Sequence, residues 1–187
     1  MFPLKDHKAR HSLAVAAYMM NRAEDYGVDP AEAYVVGLLH DVGYVNGRNN
    51  HGHEGEMILL GMGLAYRYRY AIQYHGVSPF HITNENVDKD PEELRKAPYV
   101  TYDEVSAWTK RQRIYPLLLE ADLRIDTVGR LVGFKSRLAD LHRRYQREDV
   151  DRNAKSSVDY VFEWCERNGV KKPPAVLELA SWFASLK

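Results

Sequence analysis

The chain has 187 residues, of which 45% are hydrophobic, so it can bury one sizeable core and at most a small appendage. Its 26 Lys and Arg residues balance its 26 Asp and Glu residues, which argues against nucleic acid as a partner and against a disordered acidic tail. The single cysteine excludes an internal disulfide framework, no run approaches the roughly 20 apolar residues of a membrane span, and charges interrupt the N-terminus at once, so we expect a cytoplasmic protein without a signal peptide.

Apolar residues recur on most faces of the first helical segment, which we predict over about residues 8–26. His11 lies on the face of this helix that should point inward. An ionisable side chain at such a position is costly to bury without a partner. His11 is therefore the first candidate functional residue.

The second helix, predicted at about 30–41, begins at an N-cap aspartate, Asp29, and is apolar almost throughout. Its end carries the dipeptide His40-Asp41. A metal ion is the partner that most often suits an imidazole and a carboxylate side by side in an apolar setting. Alone the dipeptide is weak evidence, because it occurs by chance.

Two more histidines lie beside predicted helices. A short helix of about 54–60 follows His51, and a further helix of about 64–75 places His75 at the end of an inward stripe. Four tyrosines on the latter helix could line a nucleobase pocket by stacking, although they are more often simply the boundary of an amphipathic helix. They are Tyr66, Tyr68, Tyr70 and Tyr74.

Residues 77–111 differ in kind, because three prolines interrupt a polar, rather acidic stretch. We predict a lid-like excursion there, of a sort that often carries substrate contacts. A helix then resumes over about 114–130, with Asp122 on an otherwise apolar face and Asp126 one turn later. Three more helices are predicted at about 134–147, 156–168 and 174–186.

Strand-like alternation is scarce, so we predict an all-α fold, a single-domain helical bundle over residues 1–187. The candidate functional residues lie in a core of about residues 9–130. Residues 131–187 are expected to form C-terminal helices that pack on this core.

The candidate residues follow one another in an order that resembles the HD-domain superfamily of metal-dependent phosphohydrolases, whose pattern is a His, a His-Asp pair and a distant Asp. Three local contexts look like the family's motifs: Arg-His-Ser-Leu-Ala-Val-Ala, Gly-Leu-Leu-His-Asp-Val-Gly and Glu-Ala-Asp-Leu. The resemblance spans roughly residues 9–130. The residues that carry it are His11, His40, Asp41, His51, His75 and Asp122.

The resemblance implies one or two divalent transition-metal ions. Members with four ligands bind a single ion, which here would be held by His11, His40, Asp41 and Asp122. Members with two extra histidines bind a second ion, for which His51 and His75 are the counterparts, and the carboxylate of the His-Asp pair then bridges both ions. Such a set suits Fe, Mn, Co, Ni or Zn, and the spacing does not choose among them.

Some positions depart from the family pattern or leave it open. Many two-metal members have a lysine where Tyr44 stands, so another cation must bind phosphate or the substrate differs. His53 competes with His51, which we prefer because of its distance to Gly55. Asp126 could orient a ligand or merely have a capping or salt-bridge role. Candidate cations, each more often a solvated surface charge, are Arg48, Arg67, Arg69, Lys110, Arg111 and Arg113.

The function that the resemblance implies is a phosphohydrolase acting on a nucleotide or another phosphomonoester or phosphoanhydride through a metal-bound hydroxide. His40 and Asp41 would be its catalytic centre. The alternative is a mixed-valent di-iron oxygenase, because relatives such as myo-inositol oxygenase use this ligand set with dioxygen. A non-catalytic ligand-binding module is less favoured, since the ligand set is complete. The expected partner is a small phosphorylated substrate, with neither nucleic acid nor membrane.

Overall fold

The protein is helical in the computed structural model, which describes residues 6–46, 50–82, 89, 91–94 and 112–172. Two short 3-10 helices, Val42–Val45 and Pro79–His81, join longer elements. Within the described ranges, β-structure amounts to one isolated bridge between Ile125 and Leu131. The all-α prediction is confirmed. In chain order the helices are α1 (Asp6–Tyr26), α2 (Pro30–Leu39), α3 (His51–Gly61), α4 (Tyr66–Tyr74), α5 (Pro91–Leu94), α6 (Ile114–Asp122), α7 (Phe134–Tyr145) and α8 (Glu148–Asn168).

The helix predicted over 114–130 is shorter than expected, because α6 ends at Asp122. The Asp126 carboxylate accepts hydrogen bonds from two backbone N–H groups later in the following turn, and Gly129 adopts a φ of +86°. An aspartate that bonds the backbone in this way competes with helix continuation. The chain therefore turns back after α6.

Two further helices begin earlier than the sequence predicted. α3 begins at His51 rather than at about 54, and α8 begins at Glu148 rather than at about 156. The helix predicted at 174–186 lies outside the described residues, as does most of the lid-like excursion predicted at 77–111. None of the described helices combines the length and apolar character needed to cross a membrane.

α1 and α2 pack backbone against backbone. A Cβ atom added to Gly37 would lie 2.7 Å from the Cα of Ala16, so no side chain fits between the two helices there. Such close contact brings the inward face of α1 against the C-terminal end of α2. As a result the rings of His11 and His40 lie 5.3 Å apart, centre to centre.

Two other glycines allow equally close contact around the ends of α3 and α4. A Cβ atom on Gly43 would lie 1.9 Å from the carbonyl oxygen of His51, and one on Gly52 would lie 2.2 Å from that of Gln73. The backbones of the 3-10 helix after α2, the start of α3 and the end of α4 therefore touch directly.

A buried polar group anchors α1 to α6. The carboxylate of Glu120, which is 0% exposed, accepts hydrogen bonds from the hydroxyls of Tyr18 and Tyr26. The Arg22 guanidinium donates to the same carboxylate at 3.3 Å. We call these four side chains the Glu120 cluster. Its acceptor oxygens face hydroxyl and guanidinium donors, so the cluster is internally satisfied.

Candidate metal centre

The structure brings all the sequence-predicted ligands into one contiguous group, which we call the His-Asp cluster. α1 supplies one member, the C-terminal ends of α2 and α4 supply three, and the start of α3 and the end of α6 supply one each. Residues far apart in sequence thus converge through the packing of five helices. The members are His11, His40, Asp41, His51, His75 and Asp122.

One half of the cluster surrounds the Asp122 carboxylate. Its Oδ1 lies 3.0 Å from Nε2 of His11 and 4.0 Å from Nε2 of His40. Ligand atoms of these three residues all lie within 4.8 Å of one another, a spacing that could hold a metal ion.

The other half surrounds the Asp41 carboxylate. Its Oδ1 lies 3.7 Å from Nε2 of both His51 and His75, and 3.6 Å from Nε2 of His40. The Nε2 atoms of His51 and His75 are themselves 3.1 Å apart. His40, Asp41 and His75 form a second group that could hold an ion. His40 therefore lies between the two halves.

Backbone carbonyls fix the orientation of the imidazoles. His11 Nδ1 lies 2.9 Å from the carbonyl oxygen of Asp126, His40 Nδ1 lies 2.7 Å from that of Gly37, and His75 Nδ1 lies 2.6 Å from that of Ile72. A carbonyl can only accept, so each Nδ1 donates. A neutral imidazole has a single N–H, so in the neutral form of these rings Nε2 carries a lone pair that faces the cluster.

One of these Nε2 atoms has no described protein partner. His40 Nε2 is buried and has no hydrogen-bond partner among the described residues. The Nε2 atoms of His51 and His75 face each other, and because His75 donates through Nδ1, a hydrogen bond between two neutral rings requires the tautomer of His51 that carries its proton on Nε2. A buried ring nitrogen without a partner beside carboxylate oxygens is stabilised by a cation, and divalent transition metals accept nitrogen and carboxylate oxygen together as ligands. The residues present fit a metal centre.

Residues 9–88 match the family model described as HD domain. This match identifies residues 9–88 as an HD domain, in agreement with the resemblance seen in the sequence. HD domains are typically metal-dependent hydrolases that bind divalent metals, and the matched residues include every cluster member except Asp122. No curated protein and no solved structure matches the chain.

The HD domain holds two of its histidines in the form that binds metal. Burial lowers the pKa of His40 to about 4, and burial together with the neighbouring charge of His75 lowers the pKa of His51 to about 3. Both rings are therefore unprotonated at neutral pH, as metal ligation requires. His75 differs: burial opposes its charge, yet its hydrogen bond to Asp41 raises its pKa.

Both carboxylates of the cluster are ionised. Burial acts to raise the pKa of Asp41, but the charge of His40 and the hydrogen bond from His75 outweigh it and hold that pKa well below its usual range. For Asp122, desolvation is likewise outweighed by the hydrogen bond from His11 and the charge of Arg137. The cluster thus contains two anionic groups that could hold a cation.

Arg137 on α7 was missed from the sequence, although it holds Asp122 in place. Its Nη2 donates to Asp122 Oδ1 at 3.2 Å, and its Nε donates to the backbone carbonyl of Asp122 at 3.2 Å. A third contact, from Nη1 to Asp140, measures 3.4 Å. Its place in the helical repeat could have identified it, because Arg137 shares the inward face of α7 with Phe134 and Leu138.

Lys8 on α1 is a second residue that the sequence did not single out. Its Nζ lies 3.0 Å from Asp41 Oδ2 and 3.6 Å from the centre of the Tyr44 ring. Tyr44 in turn stacks on His51, with ring centres 4.1 Å apart and planes 13° apart. An ammonium group therefore lies beside Tyr44, the position where many two-metal members have a lysine.

The cations that the sequence did name are engaged elsewhere or not described. Arg67 pairs with Glu32, and Arg69 pairs with Glu56. Arg113 donates to the backbone carbonyl of Tyr26. Arg48, Lys110 and Arg111 lie outside the described residues.

The structure also separates two alternatives that the sequence left open. His51 lies in the cluster, whereas His53 is half-buried and makes no hydrogen bond or ion pair with its members in the part of the chain that is described. Asp126 serves both suggested purposes. Its backbone carbonyl orients His11, and its carboxylate caps the following turn and pairs with Arg130.

A cavity of about 400 Å³ opens onto the cluster. One wall comes from α1 and the cluster itself, and the facing wall comes from α7 and α8, including Leu141, Arg144, Tyr145, Arg147, Val150 and Asn153. The described lining contains no tyrosine of α4. Tyr70 and Tyr74 belong to the hydrophobic core, so the structure favours the amphipathic-helix explanation for the tyrosines over the nucleobase pocket.

Proposed function

We propose that this HD domain is a phosphohydrolase that acts on a nucleotide or another small phosphomonoester or phosphoanhydride. The observation that carries the proposal is the convergence of four imidazoles and two carboxylates at one cavity, with the buried Nε2 of His40 unsatisfied by any described residue. A cavity of about 400 Å³ is of a size that suits a small organic phosphate.

The cluster would hold two ions. The ion nearest Asp122 would be held by His11, His40 and Asp122. The ion nearest Asp41 would be held by His51 and His75, and Asp41 would be shared by the two ions. Bound divalent ions would lower the pKa of a water molecule towards neutrality and polarise a phosphoryl oxygen. The chain's own contribution is to fix the ligands, and Arg137 does so for Asp122 through two hydrogen bonds.

The presence of cations in the cavity lining supports hydrolysis of a phosphate ester over the di-iron oxygenase alternative. The same ligands serve either chemistry, so they do not discriminate. Lys8, Arg144 and Arg147 also line the cavity, and cations around a metal centre suit an anionic substrate.

A metal-replacement assay tests the proposal. Protein loaded anaerobically with Mn, Co, Ni or Zn should release phosphate from at least one member of a panel of nucleotides and phosphomonoesters. His40→Ala and Asp41→Ala should abolish that release, whereas His142→Ala, which removes an exposed histidine outside the cluster, should retain it. A strict need for iron and dioxygen, with no phosphate released from any compound, would favour the oxygenase instead.

A further inference from the structure

We propose that Lys8 binds the phosphoryl group of the substrate beside the His-Asp cluster, an inference that rests on the proposed phosphohydrolase function. Lys8 precedes His11 by three residues on α1, so the two side chains share one face of the helix. Its side chain is 22% exposed and lines the cavity. The ammonium is thus open to a ligand that enters the cavity.

Hydrogen bonding leaves Lys8 with donors to spare. An ammonium has three N–H groups. One of them donates to Asp41 Oδ2, and in the described ranges no other hydrogen bond of Lys8 is formed. Arg137 differs, since its guanidinium is 6% exposed in the side chain and each of its three nitrogens donates to Asp122 or Asp140. Arg137 is suited to hold a ligand, whereas Lys8 is suited to bind an incoming acceptor.

The Tyr44 ring holds the ammonium independently of Asp41. Lys8 Nζ lies 3.6 Å from the ring centre, a cation–π distance. The ring is itself fixed by stacking on His51. Lys8 therefore keeps its place near the cluster even when the Asp41 carboxylate is engaged by another cation.

Metal binding changes the charge around Lys8 more than around Arg144 and Arg147, the two cavity cations on the opposite wall. Arg144 pairs with Asp140 and Arg147 pairs with Asp149, and neither carboxylate belongs to the cluster. Lys8 pairs with Asp41, the proposed bridging ligand. Once Asp41 neutralises metal charge instead, the ammonium lacks its carboxylate and lies beside further positive charge. A phosphoryl oxygen in the cavity supplies the missing negative charge.

Inorganic phosphate is the probe for this inference, because its binding can be measured without turnover. Isothermal titration of phosphate into metal-loaded Lys8→Gln should give a dissociation constant about 10- to 100-fold higher than in the parent protein, the range expected for one hydrogen bond to a charged group. Metal content should stay unchanged. Lys8→Arg should recover part of the affinity, and Lys155→Gln, which removes an exposed lysine paired with Asp159, should have no effect.

The outcomes separate this inference from the proposed function. Equal phosphate affinity in Lys8→Gln and the parent would overturn the role of Lys8 and leave hydrolysis intact. Loss of metal in Lys8→Gln, or no phosphate binding by the metal-loaded parent, would overturn it too. Lys8-dependent phosphate binding without phosphate release from any substrate would support Lys8 and contradict the hydrolase.

Discussion

The His-Asp cluster and the Glu120 cluster are two buried polar groups that share helix α6. They differ in how their buried polar atoms are paired. Glu120 and Asp122 are two residues apart on α6, so they point to different sides of it. Around Glu120, acceptor oxygens meet hydroxyl and guanidinium donors. Around Asp122 and Asp41, each carboxylate accepts one hydrogen bond from a cation, Arg137 or Lys8, and faces the Nε2 atoms of the imidazoles. Burial of charge alone therefore does not indicate function, whereas ring nitrogens that converge with carboxylates, one of them without a described partner, do.

Replacing a carboxylate of the His-Asp cluster should have the largest effect. Asp41→Ala removes the oxygen that faces three imidazoles, so we expect loss of most bound metal and of phosphate release. His51→Ala removes a terminal ligand and should lower the metal content by about one ion. Elemental analysis of protein purified without chelator measures both. His53→Ala is the control, and equal metal content in His51→Ala and the parent would remove His51 from the centre.

Replacing the carboxylate of the other cluster should affect stability and not metal. Glu120→Ala leaves the buried hydroxyls of Tyr18 and Tyr26 and the Arg22 guanidinium without their acceptor, so we expect the free energy of unfolding to fall by about 3–5 kcal/mol. Urea denaturation of chelator-treated protein measures it. A fall below about 1 kcal/mol would show that these donors find other partners.

Metal should stabilise the protein through one cluster alone. An ion that binds only the folded state at 100 times its dissociation constant raises the free energy of unfolding by about 2.7 kcal/mol per site. Thermal unfolding with and without added metal should show this increase in the parent and in Tyr18→Phe. His40→Ala should show little of it. A full increase in His40→Ala would place the metal elsewhere.

In metal-free protein the two clusters should make stability depend on pH at opposite ends of the pH scale. We expect this effect to be the smallest of those predicted here. Burial lowers the pKa of His40 to about 4 and that of His51 to about 3, below the unfolded value near 6.5. The unfolded state then binds more protons in this window, so stability falls as pH drops from about 6.5 towards 4. His75, with a raised pKa, contributes in the opposite direction.

On the alkaline side, burial and the Glu120 charge raise the pKa of Tyr18 and Tyr26 above the unfolded value of about 10. The contribution of these two tyrosines to the free energy of unfolding is therefore present below pH 10 and lost as pH rises further. Unfolding free energies measured across pH 4–11 with chelator present would show both flanks. Tyr18→Phe should reduce the fall in unfolding free energy at high pH, and His51→Ala should reduce the fall at low pH. If either substitution changed both ends of the pH profile equally, the two clusters would not act separately.

The sequence predicted those features that depend on local pattern. The His40-Asp41 pair was visible because its helix has an N-cap and an apolar run, and Asp29 does accept hydrogen bonds from Ala31 and Glu32. The helical class followed from periodicity in the same way. The end of α6 was misjudged because Asp126 was read by its place in a helical repeat and not by its bonds to the turn.

The residues that support the cluster could not be predicted, because their contacts are tertiary. Lys8 meets Asp41 across 33 positions, and Arg137 meets Asp122 across 15. Neither separation is a helical or turn spacing, so no local rule pairs these residues. Tyr44 was read as the loss of a cation, although the structure places a cation from another helix against its ring.

The glycine contacts at Gly43 and Gly52 limit how the metal preference of this domain could be re-engineered. Because the backbones there touch, with no side chain between them, repacking cannot slide the start of α3 relative to the ends of α2 and α4. The relative placement of the backbone segments that carry Asp41, His51 and His75 is consequently set by main-chain contacts. Selectivity for a different ion would have to come from exchanging the ligand atom at these positions, since the spacing itself is not free to vary.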